Sequence, residues 1–232
     1  MAVKKELVNF MYKHFFKRIF DLLISIIGLV VFIPIFLIFA PIIHFTDGGP
    51  VFYNAMRIGK KGKPFKMYKF RSMYVNAPDI RNSDGSTYNG EDDIRVTRVG
   101  KFLRRTSIDE IPQFLNVFLG DMSLIGPRPD PLSDMEIYTK EQKQKLLVKP
   151  GITGYNQAYF RNSIMQDEKF ENDVYYAKNV TFWLDVKILF KTVYTVLKRE
   201  NIYSEIAISD KNAASNEKED EKFQQKNNDF GR

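Results

Sequence analysis

Two adjacent carboxylates, Asp109 and Glu110, are the residues of this chain best suited to catalysis. They lie in the stretch RRTSIDEIPQF, just after two arginines and ahead of an apolar run. One carboxylate could attack an electrophile or bind a metal ion while the other moves a proton or positions its neighbour. An acidic pair in the first turn of a helix also offsets the helix dipole, so the residue types leave a catalytic and a structural interpretation open.

The composition limits the chemistry in which this pair could take part. The chain has 232 residues and no cysteine, which excludes disulfides, thiol nucleophiles and cysteine-bound zinc. Its only histidines, His14 and His44, flank an apolar segment, so a histidine general base elsewhere is also excluded. The net charge of +7 and the pI near 9.3 favour an anionic partner.

Basic side chains that could bind phosphate lie in two places. The stretch Arg57–Arg71 carries seven positive charges and no negative charge. It could bind anionic membrane lipids or single-stranded nucleic acid, or Lys69 and Arg71 could bind substrate phosphates. Further along, Arg128 lies between two prolines in a stiff loop, which suits a guanidinium presented to a phosphate and equally suits a surface arginine.

An apolar segment near the N-terminus indicates association with a membrane, where a nucleic-acid partner is not expected. Leu22–Ile43 comprises 22 residues without a formal charge, enough for a helix to cross a hydrocarbon core of about 30 Å. Pro34, near its centre, removes one helical hydrogen bond. Basic residues on both flanks favour placing both ends on the cytoplasmic side. From the residues alone, a kinked span and a re-entrant hairpin remain equally open.

The rest of the pattern predicts an α+β, mainly helical chain. Aromatic alternation predicts a short β-hairpin in which Val51–Tyr53 pairs with Phe65–Phe70. Apolar spacing predicts helical structure over Val99–Leu119, with Ser107 as an N-cap, and one or two amphipathic helices over 168–199. The predicted divisions are a membrane-associated segment over 1–46, a catalytic domain over 47–200 and a polar, disordered tail over 201–232.

Several stretches together resemble one family, the bacterial sugar transferases or small monotopic phosphoglycosyl transferases. In family order they are KRIFDLLISIIGLVVFIP, GPVFYNAMRIGKKGKPFKMYKFRSM, RVGKFLRRTSIDEIPQFLNVFLGDMSLIGPRP, KPGITGY and DVYYAKNVTFWLDVKIL. The resemblance extends from Phe16 to Leu197. It implies a two-step reaction at the cytoplasmic face of the bacterial cell membrane.

In this reaction an aspartate, Asp109 by motif position, attacks the β-phosphate of a UDP-sugar and releases UMP. The phosphosugar then passes to polyprenyl phosphate, such as undecaprenyl phosphate, which initiates capsule, exopolysaccharide or glycoconjugate assembly, with downstream glycosyltransferases as possible partners. The resemblance implies that Glu110 assists Asp109 and that Mg²⁺ binds nearby, with Asp109 as a ligand. The implied substrate and phosphate contacts are Lys69, Arg71, Arg128, Gln157 and Arg161.

The resemblance also implies a re-entrant helix-break-helix at Pro34, with a compact cytoplasmic catalytic domain and amphipathic interface helices. The family has Ser-Pro at this break, whereas this chain has Ile33-Pro34, so the break would depend on the proline alone. After KPGITG, Tyr159-Phe160 replaces Asn-Gly and removes a flexible glycine. Two other functions remain open: a glycosyltransferase without a covalent intermediate, which would release UDP, and a membrane-anchored scaffold in which the acidic pair is only structural.

Overall fold

The structure of the chain is a computed structural model that describes residues 2–83 and 87–198. Its helices and strands are α1 (Ala2–Met11), α2 (Lys17–Asp47), β1 (Phe52–Ile58), β2 (Pro64–Phe70), α3 (Arg98–Thr106), α4 (Gln113–Leu119), β3 (Ser123–Ile125), β4 (Gly151–Thr153), α5 (Tyr155–Tyr159), α6 (Gln166–Lys178) and α7 (Phe182–Lys198). Helices predominate, which confirms the mainly helical α+β class. The predicted tail over 201–232 lies outside the described residues.

The apolar segment forms a single helix. A π-helical turn, Tyr12–Phe16, joins α1 to α2, and Pro34 lies inside α2. The predicted break at Pro34 is not confirmed, because the helical backbone of α2 continues through the proline, which removes one hydrogen bond. Among the described residues, Glu6–Asp47 is the one helix long and apolar enough to cross a membrane.

One face of α2 packs against the rest of the chain along its length. Near its start, Asp21 accepts a hydrogen bond from Ser123 Oγ at 3.0 Å. At its middle, Gly28 lies so close to the ring of Phe114 that an added Cβ atom would come within 2.5 Å of it. Near its end, Ile43 is buried with side chains of β2 and α3. The opposite face is apolar and exposed, and it includes Ile26, Ile27, Val30, Val31, Ile33, Leu37 and Ile38.

The predicted β-hairpin is confirmed, with a longer first strand than expected. β1 and β2 pair antiparallel, with Tyr53 opposite Lys69 and Arg57 opposite Phe65. Residues directly opposite each other in an antiparallel pair share a face of the sheet, so these four side chains belong to one face. The turn closes at a short 3₁₀ helix, Lys60–Gly62. This register decides which cations of the basic stretch can reach one another.

The predicted helix over Val99–Leu119 consists of three pieces. α3 ends at Ser107, which has a left-handed backbone with φ of 57°, and a 3₁₀ turn follows over Ile108–Glu110. The predicted N-cap at Ser107 is wrong, because its side chain makes no capping hydrogen bond. The side chain that caps a helix here is Thr97, whose Oγ1 accepts a hydrogen bond from the N–H of Gly100 at 2.9 Å.

A short parallel pair of strands and two helices complete the described chain. β3 pairs with β4 in parallel, and the sequence pattern predicted neither strand. Three-residue strands are too short to show the alternation by which strands are found. α6 and α7 confirm the prediction of amphipathic helices over 168–199, and α7 buries Ile188 while leaving Phe190 exposed.

Candidate active site

The acidic pair lies on the 3₁₀ turn Ile108–Glu110, between α3 and α4. Ile108 packs into the apolar cluster that contains side chains of α2 and β2, which anchors the turn. Asp109 is only 2% exposed, and 20% of the Glu110 side chain remains accessible. A short turn held at both ends by helices thus fixes the two carboxylates at the edge of the core.

Lys69 links the two carboxylates. Its Nζ lies 2.7 Å from Oδ2 of Asp109 and 3.5 Å from Oε1 of Glu110. The same Glu110 oxygen lies 2.8 Å from Nη2 of Arg128, and half of the Arg128 side chain is exposed to solvent. Four predicted site residues from three separate parts of the sequence therefore meet, with the exposed side of the cluster at Arg128.

Burial and charge act differently on the two carboxylates. Burial raises the pKa of Asp109 above its usual value, although the charge of Lys69 opposes the shift. Burial would also raise the pKa of Glu110, but the charges of Arg128 and Lys69 outweigh it and lower this pKa to about 2. Glu110 is therefore ionised at neutral pH and holds the two cations, whereas Asp109 is the poorly solvated, more basic carboxylate that suits a nucleophile.

Arg161 lies in the same electrostatic neighbourhood. Burial lowers the pKa of Arg161, while the charge of Glu110 raises it and that of Arg128 lowers it further. The backbone of Arg161 is left-handed, with φ of 50°, and its N–H donates to the carbonyl of Asn156 at 2.7 Å. Residues other than glycine rarely adopt this conformation. In a loop that lacks the glycine of the family motif, the arginine itself makes the left-handed turn.

Arg71 does not join the acidic pair. Its Nε donates to the carbonyl of Pro50 at 2.6 Å, its Nη1 lies 2.5 Å from Asp47 Oδ2 and its Nη2 donates to the carbonyl of Ile43 at 3.2 Å. All three nitrogens are thus used at the C-terminal end of α2. In this structure the guanidinium ties α2 to the hairpin, and the predicted phosphate contact at Arg71 stays a prediction.

Gln157 likewise makes no hydrogen bond to the acidic pair among the described residues. Both amide atoms of its side chain are buried and have no hydrogen-bond partner among the described residues. Gln157 belongs to α5, two residues before the pair Tyr159-Phe160 that distinguishes this chain from the family motif. Its predicted contact with substrate stays a prediction, since no bond among the described residues joins it to Asp109 or Glu110.

Two arginines near the pair were given no individual role by the sequence. The charge of Arg104 lowers the pKa of Asp109, which burial raises, and its Nε donates to Ser72 Oγ at 2.9 Å. Arg57 lies near Arg128, whose positive charge adds to burial in lowering the pKa of Arg57. Arg57 could have been placed on the face of Lys69 from the strand register, but that register is known only once the position of the hairpin turn is known.

The two carboxylates suit Mg²⁺ only if substrate phosphates supply further ligands. No group of three or more His, Asp or Glu side chains in the described ranges could hold a metal ion by itself. Mg²⁺ is commonly held by one or two carboxylates together with substrate phosphates. Asp109, with Glu110 beside it, meets that requirement, so a magnesium ion bound together with a diphosphate substrate is compatible with this site.

Comparison with known proteins agrees with this arrangement. A sequence model described as bacterial sugar transferase matches residues 12–199. The chain is 45% identical over 186 residues to an uncharacterized sugar transferase, EpsL, of Bacillus subtilis (strain 168), covering 80% of this chain and 89% of that protein. It is 37% identical over 198 residues to the exopolysaccharide production protein ExoY of Sinorhizobium fredii, covering 81% of this chain and 88% of ExoY.

A third relative is longer. The chain is 42% identical over 196 residues to the UDP-glucose:undecaprenyl-phosphate glucose-1-phosphate transferase of Klebsiella pneumoniae. This match covers 81% of the chain but 41% of that relative, so the chain spans less than half of its length.

Proposed function

The chain belongs to the bacterial sugar transferase family, and we propose that it transfers a sugar 1-phosphate from a UDP-sugar to polyprenyl phosphate. The Klebsiella relative is named for this reaction with UDP-glucose and undecaprenyl phosphate, and the Sinorhizobium relative for exopolysaccharide production. The product would be a polyprenyl diphosphate sugar, the first lipid-linked unit of a capsule or exopolysaccharide.

The first step uses Asp109 as the nucleophile. One of its carboxylate oxygens attacks the β-phosphorus of the UDP-sugar, and the bond from that phosphorus to the bridging oxygen breaks. UMP leaves with the bridging oxygen, and the phosphosugar remains on Asp109. Lys69 and Arg128 stabilise the charge on the phosphoryl oxygens as it is redistributed. Glu110, which Lys69 and Arg128 keep ionised, holds these two cations in place.

The second step releases the enzyme. An oxygen of polyprenyl phosphate attacks the same phosphorus, and the bond between that phosphorus and the Asp109 carboxylate breaks. The attacking phosphate is already anionic, so this step needs no general base. When bound with the donor, Mg²⁺ would be held by Asp109 together with the diphosphate and would neutralise part of its negative charge.

One observation supports this proposal above the others: a buried carboxylate lies between cations at an opening to solvent. Lys69 contacts Asp109 at 2.7 Å, and Arg128 contacts Glu110 at 2.8 Å beside it. A carboxylate pair that served only the helix dipole would be solvated and would need no half-buried lysine beside it. The arrangement instead combines a desolvated nucleophile with groups that bind phosphate.

The test measures nucleotide release by the purified protein in lipid nanodiscs with undecaprenyl phosphate and a panel of UDP-sugars. We expect UMP from at least one donor, and a fall of about 10⁴-fold or more in Asp109→Asn, because the nucleophile is lost. Asp79→Asn, in an exposed loop, is the control and keeps wild-type activity. Release of UDP instead of UMP, or full activity of Asp109→Asn, would contradict the proposal.

We place both ends of α2 on one face of the membrane. At its start Lys17 lies 2.5 Å from Asp185 of α7, and at its end Asp47 lies 2.5 Å from Arg71 of the hairpin. Ion pairs to one compact domain at both ends favour a helix that dips into the bilayer with its exposed apolar face. Cysteines at positions 5 and 49 should then react with the same impermeant reagent from the cytoplasmic side; labelling from opposite sides would refute this topology.

A further inference from the structure

Arg57 and Lys69 belong to the same face of the hairpin. Arg57 lies opposite Phe65, and Lys69 lies four residues further along β2, which places the two backbones about 13 Å apart along the strand. Both side chains are long and flexible enough to approach each other across such a distance. Lys69 reaches the acidic pair, so Arg57 extends the same cationic face away from Asp109.

Arg57 is a half-buried cation of this face that forms no ion pair with a described residue, although the charges of Asp130 and Asp134 raise its pKa against burial and Arg128. Its Nε is buried and has no hydrogen-bond partner, and no described carboxylate forms an ion pair with its guanidinium. The largest influence of a neighbouring charge on it is repulsive, since Arg128 lowers the pKa of Arg57 in addition to burial. Burying an unpaired charge is costly, which indicates that the site is completed by an anion.

The position of Arg57 indicates which anion. An in-line displacement places the attacking and leaving oxygens on opposite sides of the phosphorus. The leaving nucleotide must therefore lie on the side of the β-phosphate away from Asp109. Arg128 is fixed to Glu110 beside Asp109. Arg57 lies about 13 Å along the hairpin from Lys69, which contacts Asp109, and its backbone pairs with Pro131 in the loop that follows Arg128.

We infer that Arg57 binds the nucleotide-side phosphate of the donor, the phosphate that leaves in UMP. This assignment rests on the proposed function. It gives the cations different roles, because Lys69 and Arg128 bind the phosphate that is transferred and Arg57 binds the phosphate that departs. Neighbouring Lys60 is exposed in the hairpin turn, where it can contact a membrane surface.

The test compares Arg57→Met and Arg57→Lys with wild type and with Lys60→Met, which removes one charge from the same hairpin. In Arg57→Met the KM for the UDP-sugar should rise about 10- to 100-fold, as expected for loss of a charge-assisted hydrogen bond. Protection from thermal unfolding by UMP should disappear. The unfolding temperature without ligand should stay equal or rise, since an unpaired buried charge is removed. Arg57→Lys should lie between, and Lys60→Met should match wild type.

The second half-reaction provides an internal control. Once UMP has left, transfer of the phosphosugar from the protein to undecaprenyl phosphate should proceed at the wild-type rate in Arg57→Met. Suppose that wild type releases UMP, but Arg57→Met has the wild-type KM and is protected by UMP from thermal unfolding as well as wild type is. That result would overturn the Arg57 assignment and leave the proposed function standing. A lower unfolding temperature in both Arg57 variants with an unchanged KM would likewise overturn it. If wild type releases no UMP from any donor, the proposed function fails and the assignment with it.

Discussion

Two clusters in this protein place a lysine between two carboxylates, and they differ in what surrounds them. At the candidate active site, Lys69 is 17% exposed and contacts Asp109 and Glu110. In the second cluster, Lys145 is 2% exposed and lies 2.6 Å from Asp130 and 2.5 Å from Asp173. The same residue types therefore occur once at an opening and once in the interior.

The interior cluster is satisfied by the protein itself. Asp130 accepts a hydrogen bond from Tyr138 at 2.5 Å, and Asp173 accepts one from Asn156 at 2.8 Å. Lys145 also lies 4.9 Å from the centre of the Phe170 ring. At the candidate active site, by contrast, Arg104 and Arg161 lie near the two carboxylates in addition to Lys69 and Arg128, so cations outnumber carboxylates. The interior cluster therefore holds the loop of Arg128 in place, whereas the cluster around Lys69 has the excess of positive charge expected of the proposed phosphate site.

The largest effect should come from breaking the interior cluster. Lys145→Met leaves the buried Asp173 and the half-buried Asp130 without a cation, so we expect the free energy of unfolding to fall by about 3–5 kcal/mol. Denaturant unfolding in detergent micelles measures this change. Lys143→Met, exposed on the same 3₁₀ helix, is the matched control and should unfold like wild type. Equal stability of the two variants would show that the interior cluster is not structural.

The same lysine-to-methionine substitution in the candidate active site should lower the rate of the reaction. Lys69→Met removes a cation from the transferred phosphoryl group, and we expect UMP release to fall about 10²–10³-fold. Its loss of stability should be smaller than that of Lys145→Met, because Glu110 keeps its ion pair with Arg128 and remains partly accessible to solvent. Lys66→Met, on the same strand with an exposed side chain, serves as the control. A larger loss of stability than in Lys145→Met would remove the contrast between the clusters.

A smaller effect should appear in the pH dependence of stability. Burial raises the pKa of Asp173 to about 6, against the opposing charge of Lys145. Between about pH 4 and pH 6 the folded protein holds a proton that the unfolded chain has lost, so the free energy of unfolding falls as pH rises. Asp173→Asn removes this proton, and its pH profile should be flatter by about 2–3 kcal/mol. Parallel profiles for wild type and Asp173→Asn would contradict a raised pKa at Asp173.

Long, periodic elements and strong motifs could be predicted from the sequence. The hairpin, the two C-terminal helices and the catalytic candidates Asp109, Glu110, Lys69 and Arg128 were found because residue type and order carry the information. The predicted break at Pro34 was not confirmed, because α2 continues through the proline and one lost hydrogen bond does not by itself end a helix. The strands β3 and β4 were missed because their pairing joins segments far apart in the chain.

By itself, the sequence predicted association with a membrane, and it determined that the chain carries an acidic pair among many cations, no cysteine and no histidine other than His14 and His44. Only the tertiary structure decided which role each cation has. Lys69, Arg71 and Arg57 lie within fifteen residues of one another (Arg57–Arg71), yet Lys69 contacts Asp109, Arg71 ties α2 to the hairpin and Arg57 forms no ion pair with a described residue. Charge is a property of residue type, but its effect depends on distance and burial, which the fold alone sets.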